Sequence, residues 1–212
     1  MDVLNLFQEL GLTNHVILIG SWVEFFYDEF FSQDYYPDIA TKDIDFLYRN
    51  IRLPNRKIPL IAALRDHGFI YSENSMTNVA RFYKSNIMEL EFMTRIVGPD
   101  QMHYHIDSLG ITAEGIRELD LLNKYCVEIH RDGFKVFVPE PAAYVIHKIL
   151  INEKRSKFGK AEKDMRSIKG VLKQIEKHST QYSLLLQIIS NLTKKERVVF
   201  GRVCLKNSIT ID

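Results

Sequence analysis

The amino-acid sequence predicts an α+β fold, with a mixed sheet and flanking helices over residues 1–139 and a helical domain over residues 140–212. Before Pro139 the apolar residues mostly alternate or form short blocks, as in strands, and after Pro139 they recur at helical spacing. Pro141 also suits the first turn of a helix. The chain has 212 residues, of which 46% are hydrophobic, so it can form a large mixed core and a smaller helical domain.

The first half begins with two short elements, each of which ends at a glycine. A helix over Asp2–Leu10 stops at Gly11. Val16–Ile19 is a continuous apolar run that is too short for a helix, which indicates a buried strand. This strand ends at Gly20-Ser21, and a further helix begins near Trp22.

The other elements of the first half are predicted from the same alternation of apolar blocks with turn residues. They are a loop at Gln33–Lys42, a strand at Asp43–Tyr48, a helix at Ile58–His67, a short strand at Phe69–Tyr71, a hairpin of Val79–Lys84 and Ile87–Met93 through Ser85-Asn86, and a hairpin of Tyr125–His130 and Phe134–Val138. The region from Gly98 to Asn123 has an ambiguous pattern.

The second half is predicted to contain only helices. The first spans Pro141–Ile151, and a long amphipathic helix spans Gly159–His178. A third helix over Thr180–Leu192 is expected to be capped by its first residue. Thr193 is expected to cap the last helix, with Glu196 placed to complete a capping box.

The charges of the chain are balanced overall but unevenly distributed. Lys and Arg number 28 against 27 acidic residues, which excludes a histone-like binder held to nucleic acid by bulk charge. Lys148–Lys177 is rich in basic residues, and Glu24–Asp45 is rich in acids. One interpretation is an acidic metal-binding half that faces a basic phosphate-binding half; the other is a solvated helix surface.

The cysteines and the N-terminus point to the cytoplasm. Cys126 and Cys204 are each flanked by apolar residues and have no zinc-ligand spacing, so we expect buried thiols in a reducing compartment. The start Met1-Asp2-Val3 is unlike a signal peptide, and no apolar run reaches membrane-spanning length. We therefore expect a cytoplasmic protein without a membrane partner.

The feature that carries most information about function is an acid pair in the strand Asp43–Tyr48. Asp43 and Asp45 are two residues apart, so their carboxylates lie on the same side of the strand, roughly 7 Å apart along it. Two such carboxylates repel each other unless a cation lies between them. Magnesium prefers hard oxygen ligands and is commonly held by one or two carboxylates and substrate phosphates. The pair therefore predicts chemistry on a nucleotide.

Three motifs in a fixed order resemble those of the nucleotidyltransferase superfamily, which has a DNA polymerase β-like fold. A strand ends in Gly20-Ser21, a later strand carries Asp43-x-Asp45, and Met88–Met93 carries two further acids. The segments Pro139–Lys148 and Lys160–Asp164 are similar to helices that follow the catalytic domain in stand-alone bacterial nucleotidyltransferase-like proteins. Some members of that group are toxin components of toxin–antitoxin pairs.

The resemblance implies a magnesium-dependent enzyme that moves a nucleoside monophosphate from an NTP to a hydroxyl of RNA, protein or a small molecule. Gly20 and Ser21 would hold the triphosphate. Asp43, Asp45 and Glu91 would be the catalytic acids and would hold two magnesium ions, and Glu91 would also help to activate the acceptor hydroxyl. An antitoxin is the implied protein partner.

In the helical half the resemblance implies residues that bind the nucleotide. Lys148, Lys160 and Lys163 would neutralise phosphate charge, and Asp164 would orient a lysine or the base. His147 is also compatible with a core histidine, and Lys160 and Asp164 are also compatible with an i,i+4 salt bridge on a surface.

Other interpretations of the first half stay open. Asp43 and Asp45 also suit an exposed strand face without a ligand, in which case the fold would serve a non-catalytic binding module. The third acid is Glu where Asp is more usual in the family, and Glu89 on the same strand face is the alternative. The motif His103-x-His105-x-Asp107 would be a transition-metal site if it formed a strand, but its position after Gly98-Pro99-Asp100 favours a loop.

Overall fold

The computed structural model describes residues 2–31, 35–37, 41–85, 88–96, 98, 101–155 and 159–211. Within these ranges the predicted α+β class is confirmed, since a mixed sheet with helices occupies the first part of the chain and helices alone follow Pro139. None of the described helices combines the length and the apolar character needed to cross a bilayer.

The first part of the chain contains three α-helices and nine strands within the described ranges. They are α1 (Asp2–Glu9), β1 (Val16–Ile19), β2 (Asp43–Tyr48), α2 (Leu60–Asp66), β3 (Ile70–Glu73), β4 (Ala80–Lys84), β5 (Met88–Arg95), β6 (His103–Ile106), β7 (Ile111–Ile116), α3 (Asp120–Lys124), β8 (Cys126–Arg131) and β9 (Phe134–Pro139). Short 3-10 helices at Thr13–His15 and Gly20–Glu29 precede and follow β1.

The ambiguous region contains two strands, so the loop expected around His103-x-His105-x-Asp107 is wrong. In β6 the buried Tyr104 and Ile106 alternate with two histidines. Burial of every second residue is the pattern of a strand, and it outweighs the turn residues that precede the segment. Asp107 lies beyond the end of β6.

Seven of the described strands form one mixed sheet in which β5 is central. Strand β2 pairs with β5 in parallel, and β1 pairs with β2 in antiparallel. Along its other side β5 pairs first with β4 and then with β7, which in turn pairs with β6; β3 pairs with β4. Strands β8 and β9 form the second predicted hairpin. The first predicted hairpin is also present as β4 and β5, although Asn86 of its predicted turn and Ile87 of its predicted second strand lie outside the described residues.

One face of the sheet is built from aromatic side chains. Phe46 of β2 and Phe92 of β5 are buried and stack with a centroid distance of 5.7 Å. Phe7 of α1 packs against Phe46 with centroids 4.8 Å apart, and Phe82 of β4 contacts Phe92 edge to face. Because side chains alternate along a strand, this packing directs the neighbouring residues of β2 and β5 to the opposite face.

The opposite face of the sheet is apolar near the end of β2 and acidic at its start. Near the end of the strand Leu47 packs with Ile17 and Ile19 of β1 and with two leucines, Leu119 and Leu122, around α3. These five side chains are nearly inaccessible. At the start of the same strand this face carries the acid pair instead, so the apolar cluster fixes the position of β2 beside its polar residues.

Contacts divide the chain into two units. The first comprises Met1–Val23 and Ala40–Pro139, and the second comprises Glu24–Ile39 and Glu140–Asp212. The division predicted from sequence places residues 24–39 with the sheet, whereas their contacts place them with the later helices. The described part of the predicted loop at Gln33–Lys42 has no helix or strand, and Gln33, Asp34 and residues 38–40 lie outside the described residues.

The described residues after Pro139 form four helices, as predicted. They are α4 (Pro141–Asn152), α5 (Lys160–Ile175), α6 (Ser179–Ser190) and α7 (Lys194–Lys206). The capping box of α7 is confirmed, because Thr193 Oγ1 accepts a hydrogen bond from Glu196 N and Glu196 Oε2 accepts one from Thr193 N. The cap predicted at Thr180 is wrong, since α6 begins one residue earlier with His178 as its N-cap.

The buried carboxylate of Glu24 links Tyr35 with two helices of the second unit. Glu24 is 3% exposed and accepts hydrogen bonds from the hydroxyls of Tyr35 at 2.7 Å and Tyr144 at 2.5 Å. The hydroxyl of Ser167 in α5 donates a third. Burial, together with the nearby charge of Glu24, raises the pKa of Tyr144 well above its usual value, so its hydroxyl stays a donor. Three donors offset the cost of burying this charge.

Removing one of these donors should destabilise the protein measurably. Tyr144→Phe is expected to lower the free energy of unfolding by about 2 kcal/mol, because the charge of Glu24 stays buried with one hydrogen bond fewer. Urea denaturation measures the change. Tyr36→Phe is the control, since Tyr36 is 83% exposed and should stay within about 0.5 kcal/mol of the wild type. Equal losses in the two variants would contradict this account.

Candidate active site

Four carboxylates lie on one face of the sheet. In the parallel pairing of β2 with β5, Asp43 is opposite Glu89 and Asp45 is opposite Glu91. Residues directly opposite each other in neighbouring strands project to the same side, with the strands about 4.8 Å apart. All four residues are half-buried. The predicted strand is thus confirmed, and the sheet brings the two acids of β5 beside the pair on β2.

Gly20 lies directly against the acid pair. Ile19 at the end of β1 pairs with Asp45, and the chain then turns at Gly20 with a φ of +70°. A Cβ atom added at Gly20 would collide with the Asp45 carboxylate, with Cγ of Asp45 only 3.1 Å away. Glycine is therefore needed here for its backbone conformation and for the close approach. Ser21 follows, half-buried, as the second residue of the 3-10 helix.

The electrostatic environment of Glu91 differs from that of an ordinary surface carboxyl. Burial raises its pKa to about 7, and the negative charges of Asp45 and Glu89 act in the same direction. Arg81 acts against these effects and lowers the pKa. Glu91 therefore takes up a proton near neutral pH when no cation is bound. Perturbed carboxyls of this kind concentrate at functional sites.

Sequence analysis missed one cation of this site, Arg81 of β4. Its Nη1 lies 3.1 Å from Oε1 of Glu89 and its Nη2 lies 3.3 Å from Oε1 of Glu91. In the antiparallel pairing of β4 with β5, Arg81 is directly opposite Glu91. The alternation of buried Ala80 and Phe82 with Arg81 was visible in the sequence. The sequence did not show the register of the hairpin, which decides the acids that Arg81 contacts.

The two acids of β5 occupy different positions in the cluster. Glu91 is in the same row as Asp45, whose carboxylate lies against Gly20, whereas Glu89 is in the row of Asp43. Glu91 is thus the acid of β5 beside the strand–helix turn. This geometry favours Glu91 over Glu89 as the third acid.

The acids fit magnesium in type but do not form a closed ligand cage. Asp43, Asp45 and Glu91 supply hard oxygen donors on one face. Across the described ranges, no three or more His, Cys, Asp or Glu side chains are already arranged to hold a metal ion. This holds for His103, His105 and Asp107 as well: His105 Nε2 lies 3.7 Å from Asp107 Oδ1, but the three side chains do not form a metal site. Such an open set suits magnesium, which takes further ligands from substrate phosphates.

In the second unit a buried ion pair links two of the residues expected to bind the nucleotide. Lys148 Nζ lies 2.6 Å from Oδ1 of Asp164, and Arg155 Nε lies 2.8 Å from its Oδ2. Burial alone would raise the pKa of Asp164, but the two cations outweigh burial and hold it below its usual value. The alternative salt bridge between Lys160 and Asp164 is wrong, because both carboxylate oxygens are bound by these other cations.

The remaining residues of the helical motif are two half-buried lysines and one buried histidine. Lys160 and Lys163 are half-buried in the first turn of α5. His147 is buried, and its pKa is lowered to about 3 by burial and by the charges of Lys148 and Arg155. Its Nε2 finds no hydrogen-bond partner among the described residues. His147 is therefore a neutral core histidine, and contact of the lysines with the acids of the sheet stays a prediction.

Comparison with known proteins gives a consistent assignment. The sequence profile of a family described as Nucleotidyltransferase matches residues 1–189. An antigenic nucleotidyltransferase-like protein from Paracoccidioides brasiliensis has a similar structure, with 16% identity over 97% of this chain and 87% of its own, and a TM-score of 0.57. At that identity the similarity shows the fold alone. No curated protein sequence matches at a significant level.

Two further solved structures are more distant. The lincosamide antibiotic adenylyltransferase LnuA, bound to lincomycin, has 16% identity over 80% of this chain and 92% of its own, with a TM-score of 0.44. ANT(2'')-Ia in complex with adenylyl-2''-tobramycin has 12% identity over 97% of this chain and 99% of its own, with a TM-score of 0.47. Both TM-scores are below 0.5.

Gly20→Ala tests the close approach to Asp45. Gly110→Ala is a matched control, because Gly110 also has a positive φ, +66°, but an added Cβ there would contact nothing within 4 Å. Each variant should lose about 1 kcal/mol of stability from backbone strain. Gly20→Ala should lose more, because the Asp45 carboxylate must move. In an Asp45→Ala background most of this extra loss should disappear, because only Cβ of residue 45 remains, 3.3 Å from the added atom. An extra loss that stays unchanged in this background would refute the collision with the Asp45 carboxylate.

Glu91→Gln tests the electrostatic environment of the cluster. The pKa of Glu91 is higher in the folded protein than the ordinary 4.5, so ionising it costs folding free energy as pH rises from about 4.5 to about 7. Glu91→Gln should therefore match the wild type near pH 4.5 and exceed it above pH 7, by on the order of 2 kcal/mol. Chemical denaturation without metal, across this pH range, measures the difference. A stability difference between Glu91→Gln and the wild type that does not change with pH would contradict this account.

Proposed function

The chain belongs to the nucleotidyltransferase family, and we propose on that basis that it moves a nucleoside monophosphate from an NTP to an acceptor hydroxyl in a magnesium-dependent reaction. The observation that carries the proposal is the shared face of Asp43, Asp45 and Glu91, with Gly20 against Asp45. A surface without a ligand would not need a glycine in the left-handed conformation packed against the half-buried Asp45.

Asp43, Asp45 and Glu91 would hold magnesium, two ions in the full complex. Bound magnesium supplies the positive charge that stabilises the attacking and leaving oxygens during an in-line displacement at phosphorus. The three side chains supply the negative charge and the hard oxygens that such a cation prefers. Their shared sheet face, rather than any flexible loop, sets the spacing of these oxygens.

Gly20 and Ser21 would bind the triphosphate. The missing side chain of Gly20 lets a phosphate oxygen approach the backbone next to Asp45, and the hydroxyl of Ser21 can donate a hydrogen bond. Lys160 and Lys163 would neutralise phosphate charge from the first turn of α5. Lys148 would do so from a fixed position, because Asp164 orients its ammonium group.

Glu91 would accept the proton of the acceptor hydroxyl. The acceptor oxygen then forms a bond to the α-phosphorus of the NTP, the bond from that phosphorus to the bridging oxygen breaks, and pyrophosphate leaves. A carboxyl whose pKa is about 7 in the metal-free protein has a basicity near the operating pH of a general base. Glu91 is opposite Asp45 in the sheet, and Asp45 lies against Gly20.

The acceptor class is open to a direct experiment. The purified protein is incubated with each α-labelled NTP and magnesium, together with separate pools of cellular RNA, protein or small hydroxyl compounds. We expect label to enter one pool with release of one pyrophosphate per label. Nucleotide binding without pyrophosphate release from any pool would identify a non-catalytic binding module instead.

Neutralising the acid pair should separate activity from stability. Asp43→Asn and Asp45→Asn are each expected to abolish label transfer, because each removes an anionic ligand from the magnesium site. Neither should lower the melting temperature without metal, since each relieves repulsion within the cluster. The control is Asp66→Asn at the exposed end of α2, which should leave both quantities unchanged. Full transfer by Asp45→Asn would rule out the proposed mechanism.

We extend the proposal to a toxin acting in the cytoplasm with an antitoxin partner. Its support is the similarity of Pro139–Lys148 and Lys160–Asp164 to stand-alone bacterial relatives. Cys126, which is only partly buried and not fully buried as expected, and the buried Cys204 are both thiols, which suits a reducing compartment. Expression in a bacterial host should arrest growth with the wild type and not with Asp45→Asn; normal growth in both would exclude this role.

A further inference from the structure

The guanidinium of Arg81 divides its two terminal nitrogens between two carboxylates. Nη1 contacts Oε1 of Glu89 and Nη2 contacts Oε1 of Glu91, at 3.1 and 3.3 Å. Within the described ranges, Arg81 is the basic residue that forms a salt bridge with either acid. It therefore supplies local positive charge to a cluster of four carboxylates while no cation is bound.

We propose that Arg81 is a positioning residue that acts as an internal counter-ion and competes with a divalent cation for Glu91. This inference rests on the proposed magnesium site formed by Glu91 with Asp43 and Asp45. In the metal-free protein Arg81 holds Glu91 and Glu89 in place against mutual repulsion. A divalent cation that approaches Glu91 is repelled by the guanidinium and must displace it or weaken its contact.

The surroundings of Arg81 allow such a displacement. Its side chain is 42% exposed, so it can leave Glu91 without opening the core. Arg81 and Glu91 line a narrow crevice together with Glu114 of β7, which shares their face of the sheet. Glu114 offers the displaced guanidinium another carboxylate.

The competition has a consequence for the order of binding. A free cation must overcome the repulsion from the Arg81 guanidinium, and the acids of the sheet are the protein ligands that it gains. A cation that arrives on an NTP brings phosphate oxygens and negative charge with it. Arg81 therefore disfavours binding of the free cation more than binding of the cation–nucleotide complex.

The test compares Arg81→Gln and Arg81→Lys with the wild type. Calorimetric titration with magnesium alone should give a dissociation constant about tenfold lower for Arg81→Gln, because one repelling charge is removed. Thermal melting in a chelator should show a lower midpoint for Arg81→Gln, and magnesium should raise that midpoint more than it does in the wild type. Arg81→Lys keeps the positive charge but cannot contact both carboxylates through two nitrogens. Its dissociation constant for magnesium and its melting midpoint should therefore lie between those of the wild type and Arg81→Gln.

Arg95→Gln is the matched control. Arg95 lies on β5 and pairs with the exposed Asp120 at 3.2 Å, so the substitution removes the same charge and one ion pair from the same sheet. It should leave the affinity for magnesium and its effect on melting unchanged. A similar tightening in Arg95→Gln would mean that net charge, and not the contact with Glu91, governs the affinity, which overturns the proposal.

The remaining outcomes separate this inference from the proposed function. If the wild type binds magnesium with NTP but Arg81→Gln binds free magnesium no more tightly, the counter-ion role fails and the metal site stands. If neither protein binds magnesium with or without NTP, the metal site fails and the counter-ion role fails with it. If Arg81→Gln does not fold, Arg81→Lys provides the test. In that case, an affinity of Arg81→Lys for free magnesium that is equal to or weaker than that of the wild type overturns the proposed competition between Arg81 and the cation.

Discussion

The parallel pairing of β2 with β5 is the constraint on which the candidate site depends. It places Phe46 beside Phe92 in the aromatic core and, by alternation, places Asp45 beside Glu91 on the other face. A slip of one residue would bury carboxylates and expose aromatic rings, so hydrophobic burial on one face fixes the register of the acids on the other. The geometry of the candidate site is in this sense a product of core packing rather than of contacts among the acids, which repel each other.

The acid face is costly to maintain, and several local features reduce that cost. Arg81 neutralises part of the charge, and Glu91 takes up a proton near neutral pH. Gly20 gives the Asp45 carboxylate space against the backbone at the expense of a left-handed conformation. None of these features would be needed by a polar surface without a function. Their coincidence at one end of β1 and β2 is the pattern expected where stability is exchanged for a ligand site.

Local patterns in the sequence were sufficient for β2, for the turn at Gly20 and for the helices after Pro139, because each depends on neighbours a few residues away. The structure then added what depends on distant pairing. The partners of Glu24 lie 11, 120 and 143 positions along the chain, so no periodicity marks residues 24–39 as part of the helical unit. The contacts of Arg81 likewise follow from hairpin register, which its own segment does not specify. Strand β6 was not predicted, because the turn residues that precede it favour a loop, whereas the alternation of burial that defines the strand depends on its partner β7.

Two carboxylates, the buried Asp164 and the half-buried Glu91, differ in how completely their charge is compensated. Asp164 has both oxygens bound by cations, Lys148 and Arg155, and its pKa is lowered despite burial. These two cations match its charge, as a buried carboxylate requires. Glu91 shares a single arginine with Glu89, faces Asp45, and has a raised pKa. An acid left with incomplete compensation retains attraction for a further cation, and that residual attraction is what a metal–nucleotide complex can use.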